Sequence, residues 1–199
     1  MPPNNSHERT QTSGIVQRLP NLLTALRLVL VIPIGILIVK QQFVTVLWLA
    51  FIAGFSDAID GWVARRFDTE SRLGGIIDPL ADKALMVTTF VCLSIINVIP
   101  WWLTMVVFAR DLLIIGGVTT YYRLTGNVDM SPSWLSKFNT LLQIVFTMTL
   151  LLQQVWPLLP AAWFDIGIAL VALLAVVTGI DYVRIGIRKI REYRQAHVS

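Results

Sequence analysis

The chain has 199 residues, 55% of them hydrophobic and only 14% charged, with a formal net charge of +4, a mean hydropathy of +0.68 and a pI near 9.6. Average soluble chains carry about 25% charged residues, so an ordinary water-soluble domain is excluded. The basic residues do not interleave with aromatics on a soluble surface, and nucleic acid is not an expected partner. Several apolar runs reach the roughly 17–25 residues that cross a bilayer as helix, and the length holds about six of them with short connections. The expected fold class is therefore all-α: a polytopic membrane protein with six transmembrane helices.

Residues 1–14 are polar and read as a disordered tail, residues 15–190 as the transmembrane domain, and residues 191–199 as a basic C-terminal tail. After a short interfacial stretch at 15–20, the first span is expected at 21–39. The second follows at 43–67, across the tight Lys40-Gln41-Gln42 turn. The third, fourth and fifth are expected at 75–98, 101–124 and 133–155, and the sixth at 162–185, continuing as a charged helix towards Tyr193. The single cysteine, Cys92, lies in an apolar run and reads as helix packing, with no intrachain disulfide and no cysteine metal cluster. His7 and His197 stand in polar tails and receive no role.

Basic residues bias a flank towards the cytoplasm. Of the 16, only Lys40 lies on the side holding the first-second, third-fourth and fifth-sixth connections. Arg9, Arg18, Arg65, Arg66, Arg72, Arg123 and the cluster from Arg184 to Arg194 lie opposite. Both termini are thus expected in the cytoplasm, with Trp101, Trp102, Trp156 and Trp163 in an aromatic belt on the far side. The first 14 residues lack the apolar run of a secretory signal, and Glu8 argues against a transit peptide, so a bacterial inner membrane is the expected location.

The second span ends Phe55-Ser56-Asp57-Ala58-Ile59-Asp60-Gly61-Trp62-Val63-Ala64-Arg65-Arg66, and the third begins Gly74-Gly75-Ile76-Ile77-Asp78-Pro79-Leu80-Ala81-Asp82-Lys83. On a helix, Asp57, Asp60, Gly61 and Ala64 share one face, as do Asp78 and Asp82 on the next. A short loop makes the two helices antiparallel neighbours, able to turn those faces together. Each carboxylate inside a membrane helix costs roughly 3 kcal/mol on insertion scales, and four converging ones repel unless cations balance them. Two divalent ions would do so, and an all-oxygen donor set suits Mg²⁺ or Mn²⁺. Paired ions clamp the attacking and leaving oxygens of a displacement at phosphorus, which points to phosphoryl transfer at the cytoplasmic end of the bundle. Gly61, Ala64 and Gly74 clear bulk from the helix faces for a base or phosphate, and Pro79 is expected to start or kink the third helix.

The string Asp57-x2-Asp60-Gly61-x2-Ala64-Arg65-x8-Gly74-x3-Asp78-x3-Asp82 resembles the signature of the CDP-alcohol phosphotransferase family at all eight of its fixed positions. The resemblance extends to Pro20-Asn21-Leu22-Leu23-Thr24 at the opening of the first span and to the six-span layout. It implies transfer of a substituted phosphate from a CDP-linked donor to an alcohol, releasing CMP, in an enzyme that is commonly a homodimer. Carried over by position, Asp57, Asp60, Asp78 and Asp82 would hold two metals, with Asp82 as general base on the acceptor hydroxyl. Asp57, Asp60, Gly61, Ala64, Arg65, Gly74 and Asp78 would form the CDP pocket.

Two branches of that family fit, both with CDP-diacylglycerol as donor: the CMP-forming cardiolipin synthases and the phosphatidylglycerophosphate synthases. Ala109-Arg110-Asp111 is similar to the Arg-Asp form of the former, and Asn139 stands where the latter often place a second Lys. Losing that cation weakens a site for dianionic glycerol 3-phosphate and suits the single phosphodiester of phosphatidylglycerol. Arg110, Lys137 and Asn139 are thus the expected acceptor-binding residues, with cardiolipin as the expected product. An Arg110–Asp111 ion pair of purely structural use remains open at this stage. A cation transporter built on the aspartates is the competing class. It calls for polar residues across the whole bilayer, and stretches 44–51 and 87–96 offer almost none.

Overall fold

The computed structural model describes residues 28–54, 74–125 and 134–198. They form helices α1 (Leu28–Val39), α2 (Phe43–Gly54), α3 (Gly74–Ile95), α4 (Trp101–Thr125), α5 (Trp134–Val155) and α6 (Ala161–Val198), with short turns between α1 and α2, α3 and α4, and α5 and α6. The polar tail at 1–14, the interfacial stretch at 15–20 and the aspartate segment from Asp57 to Arg66 lie outside the described residues.

Three of these helices are long and apolar enough to cross a membrane: Trp101–Tyr121 of α4, Trp134–Val155 of α5 and Ala161–Lys189 of α6. The protein is integral to a membrane. Helix α3 has the length of a span but carries Asp78, Asp82 and Lys83 in its first half. The burial pattern is that of a protein dissolved in lipid. Trp101, Met105, Leu112, Val145, Ile166 and Leu173 are exposed, while Ser94, Thr104, Arg110, Ser136, Asn139, Gln143 and Thr178 are buried. Lipid tails give apolar side chains no reason to hide, so polar groups and close packing hold such helices together.

The helices fall into two compact units divided between Leu93 and Ser94. In the first, α1 ends where Gln41 takes a left-handed backbone, φ 57°. Gln42 N–H then donates to Leu37 C=O and Gln41 N–H to Ile38 C=O, both at 2.9 Å. This pair of bonds closes the helix end. Gln42 C=O in turn accepts from Val46 N–H at 3.1 Å, so the same residue opens α2. Gly35 of α1 lies against α3: a methyl there would stand 2.9 Å from Thr88 Cγ2 and 3.4 Å from Cys92 Sγ. Cys92 is buried and free, in accord with its reading as helix packing.

In the second unit α4 and α5 both pack on α6. Each of α4 and α6 follows a proline, Pro100 or Pro160, whose carbonyl accepts from Leu103 or Trp163 N–H at 3.1 Å. The third helix stops at Ile95, three residues short of the expected end, because Asn97 turns left-handed at φ 59° and its N–H bonds Ser94 C=O. Pro79 falls inside α3 rather than at its start. The α5–α6 turn closes on one side chain: Gln153 Oε1 accepts from Leu158 and Leu159 N–H, and its Nε2 donates to Leu159 C=O. Helix α6 runs unbroken for 38 residues, through the stretch read as a C-terminal tail. At 1.5 Å per residue that is about 57 Å, against roughly 30 Å of hydrocarbon.

Gly167 of α6 is the tightest crossing in this unit. A Cβ on it would fall within the Phe146 ring of α5, 2.8 Å from Cδ2, and Phe146 is itself buried. We expect Gly167→Val to destabilise the detergent-solubilised protein by about 1–3 kcal/mol through overpacking, read as a lowered thermal unfolding midpoint. Gly116→Val, at a glycine open to its surroundings, should leave the midpoint nearly unchanged.

Candidate active site

The described part of the aspartate motif lies on α3. Positions 78 and 82 are one turn apart in a continuous helix, so they stand on one face, and Asp82 is exposed. Asp57, Asp60, Gly61, Ala64 and Arg65 lie outside the described residues. Among the described residues no three His, Cys, Asp or Glu stand together as a metal site, as expected when half of the four-aspartate set is beyond them. The donor set itself suits hard divalent cations, since every candidate ligand atom is a carboxylate oxygen.

The second unit holds the residues expected at the acceptor. Arg110 of α4 is 4% exposed, and its guanidinium is engaged on three sides. Nη1 donates to Asp111 Oδ1 at 2.7 Å, and Nη2 to Ser136 Oγ and, at 3.4 Å, to the Ser136 carbonyl on α5. Nε donates to Thr178 Oγ1 on α6 at 3.3 Å. Thr178 returns its own hydroxyl hydrogen to Leu174 C=O at 2.7 Å. One cation thus joins α4, α5 and α6. The Arg110–Asp111 ion pair left open in the sequence is formed, at 2.7 Å.

Lys137 is exposed beside this cluster, next in sequence to Ser136, with Nζ 5.3 Å above the Trp134 ring. Asn139 is wholly buried, and neither its Oδ1 nor its Nδ2 has a partner; Gln143 Nε2, one turn on, is also buried and unpaired. A buried carboxamide without a partner costs about 1–3 kcal/mol. Ser136, Asn139, Gln143 and Thr147 therefore form a polar stripe on the buried face of α5. Sequence reasoning had placed Arg110, Lys137 and Asn139 here but missed Ser136, Gln143 and Thr178. The i, i+4 spacing of Asn139 and Gln143 was a readable signal; a lone hydroxyl such as Thr178 in an apolar helix was not.

These helices and this aspartate pattern define a membrane-embedded transferase. The model of the CDP-alcohol phosphatidyltransferase family matches residues 17–180, and the chain belongs to that family. It is 34% identical over 188 residues to a probable phosphatidylglycerophosphate synthase of Mycobacterium tuberculosis, covering 90% of this chain and 87% of the relative. It is 30% identical to a probable CMP-forming cardiolipin synthase of Drosophila melanogaster, over 84% of this chain and 57% of that one. The human CMP-forming cardiolipin synthase is 28% identical, over 84% of this chain and 61% of its own. Enzymes of the family generally use divalent metal ions and act at membranes on CDP-linked donors.

Truncating one member of a buried ion pair leaves the other charged and uncompensated, at a cost of about 3–5 kcal/mol, whereas replacing both by apolar residues is often near neutral. Asp111→Ala is expected to lower thermal stability by that amount, and the double variant Arg110→Met/Asp111→Leu to recover most of it. If the pair has a catalytic use as well, the stable double variant will still have lost turnover. Melting curves and CMP release measured on the same preparations separate the two roles.

Proposed function

We propose that this enzyme transfers the phosphatidyl group of CDP-diacylglycerol to the free primary hydroxyl of phosphatidylglycerol, giving cardiolipin and CMP. The observation that carries this reading is the charge balance at the acceptor cluster. Arg110 is already neutralised by Asp111, Asn139 is buried and uncharged, and Lys137 supplies the remaining cation. A net charge near +1 suits a single phosphodiester better than the near-dianionic phosphate of glycerol 3-phosphate.

In this reading Asp57, Asp60, Asp78 and Asp82 hold two divalent ions, Mg²⁺ or Mn²⁺, and Gly61, Ala64, Arg65 and Gly74 complete the CDP pocket. The bound ions supply Lewis acidity at the diphosphate and neutralise the charge of departing CMP. Asp82 accepts the proton of the acceptor hydroxyl. The freed oxygen forms a bond to the phosphorus that carries diacylglycerol, and the bond from that phosphorus to CMP breaks. Arg65 holds a donor phosphate. Lys137 and the Arg110 cluster orient the acceptor phosphodiester, and the unpaired Asn139 carboxamide offers a donor and an acceptor to its glycerol hydroxyls.

The same reading places six spans in a bacterial inner membrane, with both termini and the site on the cytoplasmic side, in a homodimer. The orientation is supported by the side on which all loop Lys and Arg but Lys40 fall. Glycerol 3-phosphate as acceptor is the second reading. It is favoured by the 34% identity to the probable phosphatidylglycerophosphate synthase, which extends over 90% of this chain.

Purified protein given CDP-diacylglycerol and Mg²⁺ or Mn²⁺ should release CMP with phosphatidylglycerol and yield cardiolipin by mass. It should release little with glycerol 3-phosphate, and Asp82→Asn should reduce the rate by about 10²–10⁴, the usual contribution of a general base. Phosphatidylglycerophosphate as the product would transfer the assignment to the second reading.

A further inference from the structure

An open groove of about 400 Å³ runs between α4 and α6, wholly within the second unit and on its lipid-facing surface. That is within the 300–1,000 Å³ of ordinary ligand sites. Val106 and Leu113 of α4 and Val176, Gly179 and Val183 of α6 line it. Arg110 adds only its aliphatic stem, with Cγ 3.9 Å from the place where a Cβ of Gly179 would be, because its guanidinium is taken by Asp111, Ser136 and Thr178. The walls therefore ask for an occupant without hydrogen-bonding groups. The rim is open: Leu113, Val176 and Val183 are 45–53% exposed.

The last lining residue along α6 is Arg184, and it breaks this pattern. It is exposed and, among the described residues, has neither ion pair nor hydrogen bond. It stands five residues before the end of the apolar stretch Ala161–Lys189, where a long basic side chain reaches out to the level of the lipid phosphates. A phosphate would compensate that charge with paired N–H bonds. The two features specify one molecule, apolar along its length and anionic at one end. We propose that the α4–α6 groove binds one anionic glycerophospholipid of the surrounding bilayer, an acyl chain lying along Val106, Leu113, Val176 and Gly179 and its phosphate paired with Arg184. Its occupancy does not depend on which alcohol the enzyme uses.

The test is native mass spectrometry of the full chain in detergent, titrated with dioleoyl phosphatidic acid or dioleoyl phosphatidylcholine. Phosphatidic acid has no headgroup alcohol, so it cannot act as acceptor. Wild type should retain one phosphatidic acid in preference to phosphatidylcholine. Arg184→Gln should weaken the anionic lipid about fivefold, from about 1 kcal/mol per basic residue at a membrane surface, while leaving phosphatidylcholine unchanged. Val183→Trp, which fills the groove from its exposed rim without touching the core, should weaken both lipids. Arg191→Gln, exposed beyond the groove on the same helix, should change neither. Equal retention of the two lipids by wild type would overturn the proposal. So would an equal loss from Arg191→Gln, which would mean diffuse attraction, or a dimer that Val183→Trp dissociates, which would give the groove to a second copy of the chain.

Discussion

A guanidinium buried among membrane helices has to be surrounded by acceptors, and Arg110 obtains them from three different segments of the chain. Asp111 neutralises it, Ser136 brings in α5, and Thr178 brings in α6. None of these bonds is large by itself in water. In lipid the alternative is a naked charge, so each helix is held to the position at which its acceptor reaches the arginine. At Gly117 and Gly179 the space beside each glycine is taken up from the facing helix, by Tyr182 at the first and by the Arg110 stem and Leu113 at the second. Packing and polarity meet here in one side chain: the Arg110 stem packs beside Gly179 while its guanidinium bonds Thr178 one position away.

That constraint also sets the character of the candidate acceptor cluster. A cation fully engaged by protein groups is rigid, and a rigid arginine beside Ser136 presets the backbone that carries Lys137 and Asn139. The unpaired amides of Asn139 and Gln143 then stand out, because no other buried side-chain N or O among the described residues lacks a partner. Hydroxyls such as Thr147 and Thr178 turn back to the carbonyl four residues earlier. The carboxamides have no such local option at their length. In the proposed reading, Asn139 is the carboxamide offered to the acceptor.

Much of this was legible in the sequence, for reasons that differ from element to element. Helices α4 and α5 fell within a residue of their expected bounds, since Pro100 and the long apolar runs leave little choice. The end of α3 was misjudged because the apolar run continues past the turn; Asn97 stops the helix through its backbone, not through hydropathy. The reach of α6 to Val198 was foreseen only as far as Tyr193, charge being no obstacle to a helix that has already formed. The aspartate motif was the clearest signal of function, as carboxylates in apolar helices are costly and their spacing is specific. The partners of Arg110 could not be read, since which of several Ser and Thr residues faces an arginine depends on helix rotation, and single hydroxyls carry no periodicity.

Helix α6 joins a membrane span to a charged segment without a break. Starting a helix is the unfavourable step and extending one is cheap, so the segment from Arg184 to Arg194, with six charged residues, which would be mostly coil in isolation, is helical here because the span serves as its nucleus. Arg184, Arg188 and Arg191 consequently sit on one helical frame, at i, i+4 and i+7, rather than on a fluctuating thread. In the proposed orientation the basic residues meet the headgroups as a comb with a set spacing, whose register is dictated from within the bilayer.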